Sequence, residues 1–225
     1  KSPLTSRGGN TGYMLYAQNG DDKWSFQTGS GNDWDNIHSD TDINENEWYF
    51  IACTYDGEIK KIYINGILQS ENESVTISQN IDSPLRIGAG QTEQTTPNFY
   101  FKGEIDNITI WDKELTQVDI ELFQSIPIQG SEEGLVGYWN FNAGLGDILY
   151  DHSGNGNHGT IHGATWVENI HGCTDELATN YNSEANWNDG SCTYPDNGDY
   201  SLSFDGVDDY VEIDNLILGY DQEPI

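Results

Sequence analysis

The chain has 225 residues, enough for one large all-β domain or two small ones. It carries 38 acidic residues against 8 basic ones, a formal net charge of −30, a field that disfavours nucleic acid and anionic membrane and favours divalent cations. No apolar run reaches the ~18 residues of a membrane-spanning helix.

Residues 1–40 read as two or three strands with Gly-rich turns. The runs 13–16 and 23–26 flank a polar segment, residues 18–22, and form a hairpin signal. Residues 48–71 read as a meander: strands at 48–55, 60–64 and 67–71, separated by Asp56-Gly57 and Asn65-Gly66. Asp-Gly and Asn-Gly suit tight turns whose central residues need positive φ. Residues 75–77 and 85–87 add edge strands.

The rest of the chain is organised around the stretch 99–123. Its first half alternates, so Ile105, Asn107, Thr109 and Trp111 are expected on one face of a strand. Glu104, Asp106, Ile108 and Ile110 are expected on the other. Its second half changes period: Thr116 caps a short helix, Asp119 completes a capping box, and Val118, Leu122 and Phe123 form the apolar stripe. Residues 126–133 read as a linker. Residues 134–141 follow as a strand with Leu135, Tyr138 and Phe141 as core residues, then a turn-dense loop at 151–160 and another short strand at 161–167.

Three cysteines are present. Cys173 and Cys192 bracket a short polar loop, the pattern of a disulfide in an oxidising compartment. Cys53 lies in an apolar run and reads as a core thiol. The five histidines complete no zinc set, and no Ser-His-Asp or Cys-His constellation, phosphate loop or dinucleotide fingerprint occurs.

Several motifs together resemble one family. They are Trp48-x-x-x-Ala-x-Thr-Tyr-Asp-Gly57, Ile62-Tyr-Ile-Asn-Gly66, Leu85-Arg-Ile-Gly88 and Gly103-Glu-Ile-Asp106 followed by Ile110-Trp111. In this order they resemble the laminin-G-like, concanavalin A-like lectin/glucanase pattern, across about residues 4–123. The resemblance implies an all-β fold: a two-sheet antiparallel jelly-roll sandwich with one short helix, joined here to a small disulfide-closed loop module. The implied division is 1–125, a jelly roll lacking its opening strands; 134–168, junction strands; 169–197, the Cys-bounded module; and 198–225, opening strands. Residues 200–213 resemble those opening strands, either completing the same sandwich or starting the next repeat. The chain then reads as a window cut from a longer, secreted, repeat-built surface protein.

Laminarinase-type hydrolases of this fold use Glu-Ile-Asp-x-x-Glu, with two glutamates about 5–5.5 Å apart. Here Glu104-Ile-Asp106 is followed by Thr109 where the second glutamate would stand, so no enzyme is expected. The acids suit calcium, which takes six to eight hard oxygens. Asp205, Asp208 and Asp209 surround one turn and Asp106 is expected on an adjacent strand. In the Cys-bounded loop, which resembles a motif of bacterial surface proteins, Asp175, Asn180, Asn182 and Asp189 form a second candidate set. Trp24, Trp34 and Tyr100 are the candidates for stacking on sugar rings. The preferred function is a calcium-stabilised adhesion module binding polysaccharide or glycoprotein at the cell surface, with neighbouring repeats or subunits as further partners. The alternatives are a structural repeat of a stalk or filament, and an accessory domain of a polysaccharide-degrading enzyme.

Overall fold

The computed structural model describes residues 1–17, 22–73, 77–91 and 96–195. It divides into two compact units, Lys1–Glu168 and Asn169–Ile225.

The first unit opens with β1 (Leu4–Gly8), β2 (Thr11–Ala17), β3 (Lys23–Ser30) and β4 (Trp34–Asp42). The meander follows as β5 (Ile51–Tyr55), β6 (Ile59–Ile64) and β7 (Ile67–Glu73), and then comes β8 (Leu85–Ile87). A five-stranded sheet has the order β4-β3-β2-β1-β8, and a three-stranded sheet the order β5-β6-β7. Every pairing within them is antiparallel. The β6–β7 turn works as its sequence requires: Asn65 and Gly66 both take positive φ, 51° and 80°.

Strand alternation sorts the side chains into an inner and an outer face. Register places Leu4, Leu15, Phe26 and Ile37 in one cross-strand row of the larger sheet. Trp24, Phe26 and Ile37 of that sheet join Ile62 and Ile64 of β6 in a single buried cluster. The two sheets therefore face each other across one apolar layer, and the fold is the antiparallel sandwich that the sequence pattern implies. Burying each such large side chain contributes roughly 1.5–3 kcal/mol.

Beyond the meander come β9 (Gly90–Gln91) paired with β10 (Pro97–Asn98), and β11 (Ile108–Trp111) paired with β12 (Leu135–Trp139). The strand expected from residue 104 begins only at Ile108, because Asn107 takes φ 49°, a left-handed conformation that ends extended pairing. The helix α1 (Gln117–Ser125) has the expected capping box between Thr116 and Asp119. Its packed face is only in part the expected one, since Phe123 packs as expected. Val118 and Leu122 are exposed, whereas Ile120 is buried and Phe123 stacks on Trp111 at 5.1 Å.

The junction adds β13 (Ile148–Leu149) and β14 (Gly159–Thr160), which pair with each other. Residues 161–167 form no strand. Gly163 has φ 78°, and the Ile161 N–H and the Trp166 indole N–H donate to the carbonyls of Asp147 and Gly146. Leu135 and Tyr138 are buried as expected, while Phe141 is only half-buried, at φ 55°. The hub here is Asp151. Its carboxylate accepts from the N–H groups of Tyr138, Ser153 and Asn157 and from the Ser153 hydroxyl. Burial raises its pKa, but these donors outweigh burial and hold it down at about 2.

In the second unit, β15 (His171–Gly172) and β16 (Trp187–Asn188) pair in parallel. Cys173 and Cys192 form the expected disulfide. The opening strands expected at 200–213 lie outside the described residues.

Candidate functional site

The site is built where β3 turns into β4. Register puts Arg7, Gly12, Gly29 and Trp34 in one row. Alternation from Phe26 and Ile37 places that row on the outer face of the five-stranded sheet. The glycines are needed there: a Cβ on Gly29 would collide with the Asn10 carbonyl, and one on Gly12 with the Ser6 carbonyl. Asn10 then anchors the neighbourhood. Its side chain donates to the Asn32 carbonyl and accepts the indole N–H of Trp34 at 3.0 Å, while its own carbonyl accepts from Gly31. The Arg7 guanidinium sits over the Trp34 ring, 5.1 Å from its centroid. Trp34 is thus a half-buried aromatic whose orientation is fixed by two contacts.

Beside it lies an open depression of about 410 Å³, lined by Ser30, Asp33, Trp34, Asp35, Asn72 and Glu73. Asp35 alternates inward from Trp34 and meets Lys60 of the opposite sheet, Oδ2 to Nζ 2.7 Å. The Lys60 side chain is 0 % exposed and also donates to Thr28 Oγ1 at 3.2 Å. Burial pushes its pKa down, against the upward pull of Asp35. An ion pair of this kind fixes geometry more than it adds stability. It bridges the two sheets and holds the Asp35 carboxylate at the edge of the depression.

The three stacking candidates do not form one platform. Trp24 is corrected: it is 5 % exposed in the core, edge-on to Tyr49, and offers no face to a ligand. It sits on the inner face of the sheet that carries Trp34 on its outer face. Tyr100 is 63 % exposed and its hydroxyl donates to the Pro97 carbonyl.

Among the described residues, no three His, Cys, Asp or Glu side chains converge as a metal site requires. Asp106 accepts the N–H of Asn107, and Asp205, Asp208 and Asp209 lie outside the described residues. In the second unit the oxygens of Asp175, Asn180, Asn182 and Asp189 accept backbone N–H groups of Leu177, Thr193, Glu184 and Ser191. These oxygens thus support the turns of the loop. Thr109, where a second glutamate would stand, accepts the Trp111 indole N–H at 2.9 Å.

The Asp35–Lys60 pair went unread in the sequence. Its signal was there: Lys60 shares the two-residue period of Ile62 and Ile64, which points a lysine at the core.

A family model described as Laminin_G_3, concanavalin A-like lectin/glucanases superfamily, matches residues 2–121. Among solved structures, 71% of the chain aligns with 49% of a Bacteroides ovatus ATCC 8483 protein, at 20% identity and a TM-score of 0.55. That protein is named, provisionally, as carbohydrate binding. A Clostridium thermocellum ATCC 27405 S-layer domain-containing protein aligns over 52% of this chain and 58% of its own, at 24% identity and a TM-score of 0.34. The chain thus spans about half the length of each. The first likeness shows the fold alone. No curated protein matches the chain.

Proposed function

The chain belongs to the concanavalin A-like lectin/glucanase superfamily, and from that premise we propose that it is a non-catalytic, extracellular carbohydrate-binding module of a surface adhesin. The observation that carries this reading is Trp34. A half-buried indole, fixed by Arg7 over its ring and Asn10 at its N–H, lines a depression rich in oxygen acceptors, and that mix of aromatic surface and polar groups suits a sugar. The name of the Bacteroides ovatus protein points the same way. The missing second glutamate supports a non-catalytic role, and the disulfide suits an oxidising, extracellular setting.

Calcium belongs to the proposal on the strength of the net charge of −30 and the acids Asp106, Asp205, Asp208 and Asp209. A chelator should then lower the melting temperature of the purified chain, and added calcium should restore it. An unchanged melting curve would remove calcium from the reading.

The test of the function is a glycan-array screen in calcium and again in chelator, with Trp34→Ala alongside. Retention of a defined sugar class by the wild type, lost in Trp34→Ala, is the expected result. A folded wild type that binds no glycan in either buffer overturns the sugar reading.

A further inference from the structure

The depression beside Trp34 is lined by three acidic residues, Asp33, Asp35 and Glu73. Recognition of a uronate or a sulfated sugar needs a cation able to reach it, usually Arg or Lys donating to the anionic oxygens. Among the described residues, the cations in contact with this neighbourhood are Arg7 and Lys60, and both are committed elsewhere. Arg7 is 9 % exposed, its guanidinium lies over the Trp34 ring and its Nε donates to the Gly9 carbonyl at 3.0 Å. Lys60 is wholly buried and spans the sandwich to Asp35 and Thr28. One of the three carboxylates is thereby compensated from inside, and Asp33 and Glu73 remain exposed at the rim. The surrounding field has the same sign, with 38 acidic residues against 8 basic ones.

An uncharged sugar meets this rim differently. Its hydroxyls are donors, and a hydroxyl donating to a carboxylate makes a charge-assisted hydrogen bond. The same groups that repel an anionic sugar are acceptors for a neutral one. Resting on the sugar-binding reading above, we infer that the Trp34 site takes glycans free of carboxylate and sulfate groups, and that Asp33 and Glu73 enforce this choice.

The experiment is affinity electrophoresis through gels carrying matched polymer pairs: hydroxyethyl cellulose with carboxymethyl cellulose, agarose with a sulfated galactan, and unsubstituted xylan with glucuronoxylan. The wild-type chain should be retarded by the uncharged member of at least one pair and not by its charged partner. The double variant Asp33→Asn with Glu73→Gln should gain affinity for the charged partner, about tenfold at low ionic strength. The gain should shrink at roughly 0.5 M salt, where exposed charges are screened within a few ångströms. Asparagine can still accept the Trp34 N–H that Asp33 now accepts, so the turn is kept. Equal retention on both members of a pair, or a double variant with unchanged affinity for the charged member, overturns the inference while leaving sugar binding standing. Retention on no polymer, by a chain shown to be folded by circular dichroism, takes down the sugar-binding reading itself and this inference with it.

Discussion

The sandwich and the Cys-closed unit of the same chain are held together by different physics. The sandwich has Trp24, Phe26, Ile37, Ile62 and Ile64 in one buried cluster contributed by two sheets. Among the described residues of the second unit the buried hydrophobic ones are Cys173 and Ala178, and Leu177 is 82 % exposed. That loop has no apolar layer to collapse on. It replaces one with a covalent bond and with short side chains that turn back onto the backbone: Asp175 to Leu177, Asn182 to Glu184, Asn188 to Gly190 and Asp189 to Ser191. The lesson is that a dense run of Asp and Asn can hold a small unit together through its turns where an apolar layer is lacking.

The comparison breaks first at Ile62. It is 0 % exposed and lies at the centre of the sandwich, so Ile62→Ala should cost roughly 2–5 kcal/mol. Leu177→Ala in the other unit should cost almost nothing. Thermal and urea unfolding of the two variants measures both. Similar losses would show that the two units share one mode of stabilisation after all. The next effect belongs to the disulfide. Removing a cross-link between residues 19 apart releases a short loop and should cost that unit about 3 kcal/mol. Hydrogen exchange after reduction should show lost protection across 173–192, with the β3 and β6 peptides unchanged. Lost protection in the sandwich as well would mean that the loop supports it.

Between these extremes lies the junction, where a buried carboxylate does the organising. Asp151 is 7 % exposed and its pKa is held at about 2, below the ordinary 3.8. A depressed carboxyl contributes stability that is fully present above the unfolded value and is lost as pH falls through the folded one. The contribution here, about 2 kcal/mol, should disappear between about pH 4 and pH 2. Asp151→Asn should show the loss at pH 7 and flatten that acid limb in urea midpoints measured against pH. A variant as steep as the wild type would assign the limb to other carboxylates.

Much of this was legible because it is local. The Asp56-Gly57 and Asn65-Gly66 turns bounded the meander, Thr116 and Asp119 marked the helix start, and the cysteine spacing marked the loop. What failed depended on distant partners. Which face of α1 is buried is decided by Trp111, on which Phe123 stacks, and the helical period alone could not choose between Ile120 and Val118. Trp24 and Trp34 look alike as aromatics, but Trp24 shares its alternation with Phe26 and so belongs to the core. The Trp34 site needed four strands in register, Arg7 reaching across from β1, and a lysine from the opposite sheet. No short window of sequence contains that arrangement.

The smallest effect tests whether local hydrogen bonding matters inside the apolar half as well. The Thr116 hydroxyl accepts the Asp119 N–H at 3.3 Å, and the Asp119 carboxylate accepts the Thr116 N–H at 2.9 Å. Together they satisfy two donors that a helix start otherwise leaves to water. Losing such a cap costs about 1 kcal/mol where the helix depends on it. But α1 is also held by buried Ile120 and by the stack of Phe123 on Trp111. Thr116→Ala, measured by urea unfolding beside Thr116→Ser, separates the two supports. A loss near 1 kcal/mol, largely recovered by serine, means that the cap sets where the helix begins and packing only receives it. A loss under about 0.3 kcal/mol would mean that the aromatic stack holds the helix regardless of its end. The sandwich would then be stabilised by burial throughout, and its contrast with the disulfide-closed loop would be sharper than the present geometry implies.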